Sequence, residues 1–109
     1  MPVSSDALQK IDDDVKNNKI ILYIKGSKDF PQCGFSAAAI QAFKNLDVDF
    51  ETRDVFSTRD IWDGIQEYTN WPTFPQIFVN GKFVGGCDIT LELAENGELK
   101  KLVDEALAT

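Results

Sequence analysis

A run of five apolar residues, Ile20-Ile-Leu-Tyr-Ile24, constrains the fold of this chain more than any other stretch. The run is too short for a helix, and it is too uniformly apolar for an edge strand with one face in water. We therefore predict that residues 20–24 form a central strand. Three aromatic residues are assigned to the hydrophobic core: Tyr23 within this run, and Phe78 and Phe83 further along the chain.

Hydrophobic periodicity and turn residues predict the elements around this strand. Helices are predicted over 6–17, 37–46, 57–68, 89–95 and 98–107, and strands over 20–24, 50–55, 76–80 and 83–84. Asp6 and Gln9 have capping-box spacing at the start of the first helix. Asp88 is a natural N-cap for the fourth helix, and Asn80-Gly81 is typical of a hairpin turn. The order predicts an α/β domain with one parallel βαβ unit followed by an antiparallel hairpin.

Length and charge limit the possible functions. A chain of 109 residues is long enough for one hydrophobic core and too short for two, so we predict a single domain over 1–109, with an N-terminal helix in 1–18 and a core in 20–107. A net charge of −7 argues against a nucleic-acid partner, which would need a dense basic face. The longest apolar run is far below the roughly 20 residues that span a bilayer, and no secretory signal begins the chain. We expect no membrane association and no secretion.

The chain has two cysteines and no histidine. Without an imidazole there is no Ser-His or Cys-His nucleophile pair and no histidine-containing zinc site. Two cysteines cannot complete a four-cysteine metal site within one chain. Any thiolate-rich metal centre would therefore have to borrow ligands.

Cys33 lies between a predicted strand and a predicted helix, close to the helix N-terminus. The helix dipole and backbone N–H groups stabilise a thiolate there, and Lys25 adds a positive charge nearby. Cys33 is therefore a candidate nucleophile or metal ligand, with a purely structural cysteine as the alternative. In a C-x-x-C oxidoreductase the second sulfur resolves the mixed disulfide, but Ser36 occupies that position here. A mixed disulfide on Cys33 must therefore be reduced by an external thiol or by the distant Cys87. If neither reacts, Cys33 does not carry out redox turnover.

Four motifs occur in order along the chain: Lys25-Gly26, Pro31-Gln32-Cys33-Gly34-Phe35-Ser36, Trp71-Pro72-Thr73-Phe74-Pro75-Gln76 and Asn80-Gly81-x-x-Val84-Gly85-Gly86-Cys87-Asp88. Together they resemble those of a monothiol glutaredoxin of the CGFS class, and the resemblance extends from about Ile20 to the C-terminal helix. It implies a thioredoxin-like (glutaredoxin) α/β fold, in which a four-stranded mixed sheet is flanked by helices.

The resemblance also implies two ligands. Glutathione, or another low-molecular-weight thiol, would bind beside Cys33. A 2Fe-2S cluster would bridge a homodimer, with Cys33 and a non-covalently held glutathione as the ligands from each protomer. The residues implied to hold glutathione are Lys25, Thr73, Phe74, Pro75, Gly86, Cys87 and Asp88.

Each part of the thiol has an implied contact. Lys25 would meet the glycine carboxylate. Thr73 and Phe74, before a cis-Pro75, would present main-chain groups to the cysteinyl part. The γ-glutamyl end would meet Cys87 and Asp88 at a helix start.

One position of this implied site departs from the family. The family commonly has an arginine in the helix before the Trp-Pro motif, also contacting the glycine carboxylate, and Trp62 stands at the matching place. Tryptophan cannot form that ion pair. Arg59, one helical turn earlier, is a possible substitute. We expect weaker or altered glutathione binding, with tolerance of a different or larger low-molecular-weight dithiol.

Three further positions have alternative roles. Cys87 is either a small buried residue or the partner of Cys33 in a disulfide. Asp88 is either a plain N-cap or a ligand contact, and both can hold. Gly85-Gly86 marks either a bend or the close approach of a ligand or backbone.

The resemblance leaves three functions open. The first is transfer of a labile 2Fe-2S cluster to apoproteins, for which exchangeable ligands are suited. The second is a slow glutathione-dependent thiol-disulfide oxidoreductase, and the third is an iron- or redox-sensing partner of BolA-type proteins. The expected compartment is a bacterial-type cytoplasm or, for a mature form, the mitochondrial matrix.

Overall fold

A sheet of four strands organises the chain, which the computed structural model describes over residues 4–108. The strands are β1 (Ile20–Ile24), β2 (Glu51–Asp54), β3 (Gln76–Val79) and β4 (Lys82–Gly85), and the helices are α1 (Ser5–Asn17), α2 (Gly34–Asn45), α3 (Arg59–Thr69), α4 (Cys87–Glu95) and α5 (Glu98–Leu107). The strand order is β2-β1-β3-β4. β1 is parallel to β2 and antiparallel to β3, and β3 is antiparallel to β4. The predicted mixed α/β sheet, the βαβ unit and the hairpin are confirmed.

The central strand is buried on both faces, as its composition predicts. All five residues of β1 are buried. Because side chains alternate along a strand, Ile20, Leu22 and Ile24 pack in one core cluster with residues of α2 and α5. Ile21 and Tyr23 pack in a second cluster, with residues of α1 and α3. The sheet is therefore covered by helices on both sides.

Four helix starts differ from the sequence prediction, since α1, α2 and α4 begin one, three and two residues earlier and α3 begins two residues later, and two predicted N-caps change with them. α1 is capped by Ser4, whose hydroxyl accepts the Ala7 N–H at 3.1 Å, so Asp6 lies inside the first turn. α4 begins at Cys87 with Gly86 as its N-cap, and the Gly86 carbonyl accepts the Thr90 N–H at 3.1 Å. The N-cap role predicted for Asp88 is therefore wrong. The backbone is already extended at Gly86, so Asp88 falls one position inside the helix.

The core assignment is correct for two of the three aromatic residues. Tyr23 and Phe78 are buried, but Phe83 is 37% exposed. Phe83 lies on β4 at the edge of the sheet, where no further strand or helix covers it fully.

None of the helices formed by residues 4–108 combines the length and the apolar composition of a membrane-spanning segment. The prediction of one domain includes residues 1–3 and 109, which lie outside the described residues.

The loop after β1 folds back on itself and delivers Cys33 to the start of α2. Gly26 has a φ of +99° and forms an isolated bridge with Pro31. The Gln32 N–H donates to the Lys25 carbonyl at 2.8 Å. A Cβ at Gly26 would lie 2.7 Å from both the Gln32 nitrogen and the Phe30 carbonyl oxygen. Glycine is therefore required here on both conformational and steric grounds.

We predict that Gly26→Ala lowers the free energy of unfolding by at least about 2 kcal/mol, because it combines a positive φ with a backbone clash. Gly34→Ala is the matched control, since a Cβ at Gly34 would meet nothing within 4 Å. The control should change stability by less than about 0.5 kcal/mol or increase it. Urea denaturation measures both, and equal effects would contradict this account of the loop.

Candidate functional site

A cleft of about 560 Å³ opens beside Cys33. Four parts of the chain line it: the end of β1 with the start of α2, one residue of α3, the segment 71–75 before β3, and the start of α4. The structure brings every predicted site residue to this cleft, namely Lys25, Cys33, Thr73, Phe74, Pro75, Gly86, Cys87 and Asp88. Trp62, which the sequence analysis placed at the position of the family's arginine, also lines the cleft, and four lining residues were not assigned to the site from the sequence: Phe35, Trp71, Pro72 and Ile89.

Cys33 is the N-cap of α2 and is partly exposed. Its pKa is lowered first by the backbone N–H of Ser36, with further contributions from the Phe35 N–H, the Ser36 hydroxyl and the charge of Lys25. Burial opposes this shift without reversing it. The helix start therefore favours the thiolate, which is the form that attacks disulfides and binds metals.

Ser36 supports the site in a way that the sequence analysis missed. Its side chain is fully buried, and its hydroxyl oxygen accepts the Lys25 N–H at 3.2 Å. The same residue lowers the pKa of Cys33 through its N–H and its hydroxyl. Ser36 therefore joins the end of β1 to the first turn of α2. In the sequence, Ser36 shows only that the second sulfur of a C-x-x-C motif is absent. No sequence pattern indicates the hydrogen bonds that it makes.

The segment 71–75 forms the wall opposite the start of α2. The Phe74–Pro75 peptide bond is cis, as the resemblance implies. The buried Gln76 holds the segment, because its Nε2 donates to the carbonyls of Trp71 at 2.8 Å and Thr73 at 3.2 Å. These two hydrogen bonds fix the backbone of residues 71–73 next to the cis-proline.

The start of α4 packs closely against that wall. A Cβ at Gly86 would be in ordinary contact with the Pro75 carbonyl oxygen at 3.5 Å, whereas Gly85 has a φ of +145°, so of the two glycines it is Gly85, at a bend, whose backbone requires glycine. Cys87 is 8% exposed, and its pKa is raised by burial and by the charges of Asp88 and Cys33. Both cysteines are free thiols. A high pKa makes Cys87 a poor attacking group near neutral pH, so the packing role is favoured and the disulfide stays a prediction.

Trp62 lines the cleft and Arg59 does not. The Arg59 Nε lies 2.8 Å from the Asp63 carboxylate, and its side chain is 85% exposed. Of the described residues that line the cleft, Lys25 is the one cation and Asp88 is the one carboxylate. Among residues 4–108, no group of three or more histidine, cysteine, aspartate or glutamate side chains could hold a metal ion.

The sheet topology, the thiol at a helix start and the neighbouring cis-proline define a thioredoxin-like thiol protein. The glutaredoxin family model matches residues 20–84. The chain is 50% identical over 100 residues to an uncharacterized monothiol glutaredoxin ycf64-like of Synechocystis sp., covering 92% of this chain and 94% of the relative. It is 44% identical over 108 residues to the chloroplastic monothiol glutaredoxin-S14 of Arabidopsis thaliana, covering 99% of this chain. The chain therefore belongs to the monothiol glutaredoxins.

The chain spans 58% and 61% of the length of two chloroplastic relatives, from rice and Arabidopsis. Its fold matches the solution structure of reduced poplar apo GrxS14 with a TM-score of 0.82 and 42% sequence identity, covering 93% of each chain. It also matches the crystal structure of a buckwheat glutaredoxin–glutathione complex with a TM-score of 0.82 and 26% identity, covering 93% of this chain and 90% of that one. The predicted thioredoxin-like fold of the glutaredoxin type is confirmed.

We predict that the alkylation rate of Cys33 by iodoacetamide rises with pH at a lower midpoint than that of Cys87. The reason is that the pKa of Cys33 is lowered and that of Cys87 is raised. As the pH falls, the Cys33 thiolate therefore persists after the Cys87 thiolate has been protonated. Ser36→Ala should move the Cys33 midpoint upward, since one donor is lost while the backbone donors remain. Mass spectrometry of peptides measures both rates, and coincident midpoints would contradict the assignment.

Proposed function

We propose that this protein binds a labile 2Fe-2S cluster as a homodimer ligated by external thiols, and that it transfers the cluster to apoproteins. The observation that carries the proposal is the contrast between the two cysteines. Cys33 is partly exposed with a lowered pKa, whereas Cys87 is buried with a raised pKa. Each chain therefore offers one favoured thiolate at the cleft.

The ligand count supports a dimer with borrowed thiols. A 2Fe-2S cluster takes four protein or equivalent ligands, and this sequence has two cysteines and no histidine. Cys33 from each of two chains supplies half of the ligands. A thiol held in each cleft supplies the rest. Ligands that can dissociate suit a cargo that must be released.

The polar groups of the cleft suit glutathione in this role. Lys25 offers a cation for one carboxylate of the tripeptide, and the start of α4 with Asp88 offers backbone N–H groups and a carboxylate for the γ-glutamyl end. Thr73 and Phe74 offer main-chain groups for pairing with an extended peptide. The buckwheat glutaredoxin with the same fold was solved with glutathione.

One observation favours a second candidate, a thiol-disulfide oxidoreductase that removes glutathione from proteins. A thiol with a lowered pKa is suited to attack a mixed disulfide. In that reaction the Cys33 sulfur bonds to the glutathione sulfur, and the substrate thiol leaves with the electron pair. A second external thiol then reduces the Cys33 mixed disulfide, because the hydroxyl of Ser36 cannot.

The partner and the compartment stay predictions. Apoprotein acceptors and a BolA-type protein are the expected partners of a cluster carrier of this family. The names of the relatives place some of them in chloroplasts, and the expected sites for this chain remain a bacterial-type cytoplasm or the mitochondrial matrix.

Anaerobic reconstitution with iron, sulfide and glutathione tests the proposal. Wild type and Cys87→Ser should develop visible absorption, whereas Cys33→Ser should stay colourless because it lacks the protein ligand. Thermal melting of all three proteins checks that they are folded. A coloured Cys33→Ser variant would overturn the proposal. A colourless wild type with rapid turnover on a glutathionylated substrate would favour the oxidoreductase.

We also predict that Lys25→Gln weakens glutathione binding about threefold, the size expected for one partly exposed ion pair. Lys82→Gln is the matched control, because Lys82 is exposed on β4 and does not line the cleft. Isothermal titration calorimetry measures both affinities. An unchanged affinity in Lys25→Gln would contradict the assigned role of Lys25.

A further inference from the structure

An aromatic wall formed by Trp62 and Phe74 bounds one side of the cleft, and Phe56, which does not line the cleft, supports Trp62. The Trp62 ring stacks on Phe56, with centroids 5.7 Å apart and an angle of 14° between the planes. Trp62 also lies against Phe74, with centroids 5.2 Å apart and an angle of 43°. Phe74 is 6% exposed, and Trp62 packs against the core cluster that contains it. The indole is therefore held in place from two sides.

This wall leaves the cleft short of positive charge. Glutathione carries two carboxylates and one ammonium, and Lys25 is the one cation among the described residues that line the cleft. Arg59 does not line the cleft, and its Nε lies 2.8 Å from the Asp63 carboxylate instead. The net charge of −7 adds a general repulsion of anions. The glycine carboxylate thus gains a single ion pair at most.

The Trp62 ring also favours some ligand groups over others. The face of an indole ring is electron-rich and attracts cations, whereas it offers nothing to a carboxylate. A neutral amide or an ammonium at the glycine end of the thiol would pack against Trp62 without the desolvation cost that a carboxylate has there.

There is also space beyond Trp62 for a longer ligand. A second hollow of about 300 Å³ shares Trp62 with the cleft and is otherwise lined by Val55, Phe56, Thr58 and Arg59. Phe56, one of the residues that line this hollow, is 52% exposed. A group attached at the glycine end therefore has the rings of Trp62 and Phe56 on which to continue, beside the polar side chains of Thr58 and Arg59.

We propose that Trp62 sets the thiol specificity of the cleft, so that the protein accepts glutathione-like thiols with a neutral or cationic glycine end at least about as well as glutathione. This inference rests on the thiol-binding function proposed above. It makes Trp62 a specificity-determining residue, and it assigns a substrate class that a cleft with two cations would reject.

The test is calorimetric binding of three thiols: glutathione, its glycinamide analogue, and an analogue with an aminoethylamide at the glycine end. All proteins carry Cys33→Ser, so that no mixed disulfide forms at that position. In this background the amide should bind within about threefold of glutathione, and the cationic analogue should bind at least as tightly as the amide.

Two variants at the same position complete the test. Trp62→Arg should bind glutathione about threefold to tenfold more tightly and leave the amide unchanged, because a charge-assisted pair forms with the carboxylate alone. Trp62→Phe should keep the original order of affinities, and it remains informative if the arginine variant does not fold.

The outcomes separate the two proposals. A preference of about tenfold or more for glutathione over the amide, with Trp62 in place, would overturn the specificity inference and leave the thiol-binding function intact. If none of the three thiols bound to any folded variant, the thiol-binding function itself would be wrong.

Discussion

The site depends on backbone N–H groups that the first turn of α2 directs at the Cys33 sulfur. These donors, with Ser36 first among them, lower the pKa of that thiol more strongly than the charge of Lys25 does. They are fixed in position because β1 is buried on both faces and the loop after it closes through the Gln32–Lys25 hydrogen bond. The buried Ser36 hydroxyl ties the end of β1 to the helix. A nucleophile is thus produced by helix geometry in a protein that has no histidine.

The cleft contains two thiols whose pKa values are shifted in opposite directions. Cys33 lies at the N-cap of α2 and keeps contact with solvent, whereas Cys87 lies inside the first turn of α4 and is buried. Both are near helix N-termini, so the dipole alone does not separate them. Burial, the neighbouring Asp88 and the Cys33 thiolate itself raise the pKa of Cys87. The structure therefore presents one favoured thiolate per chain, and in the proposed function an external thiol is the second ligand.

Local sequence patterns predicted much of the fold, and long-range packing decided the rest. The five apolar residues of β1 and the Asn80-Gly81 turn each specify their own element, whereas the strand order β2-β1-β3-β4 depends on pairing between segments that are distant in sequence. The exposure of Phe83 depends on β4 being at the edge of the sheet, which the apolar pattern does not state.

In the candidate site, too, local motifs predicted part of the arrangement and contacts between elements decided the rest. All eight residues named from the motifs lie at the cleft, and their ligand contacts stay predictions. The buried role of Ser36 and the anchoring of segment 71–75 by Gln76 arise from hydrogen bonds between elements, so no single motif contains them. Trp62 was recognised as a departure from the family, but its contacts with Phe56 and Phe74 required the structure.

Because each chain offers a single favoured thiolate, cluster binding in the proposed function depends on a second chain and on external thiols. Native mass spectrometry of the reconstituted protein tests it most directly, because it counts chains, iron, sulfide and thiol in one complex. The account predicts two chains, one 2Fe-2S cluster and two thiol molecules, which together supply four sulfur ligands. A cluster held by one chain, or by two chains without bound thiol, would contradict it.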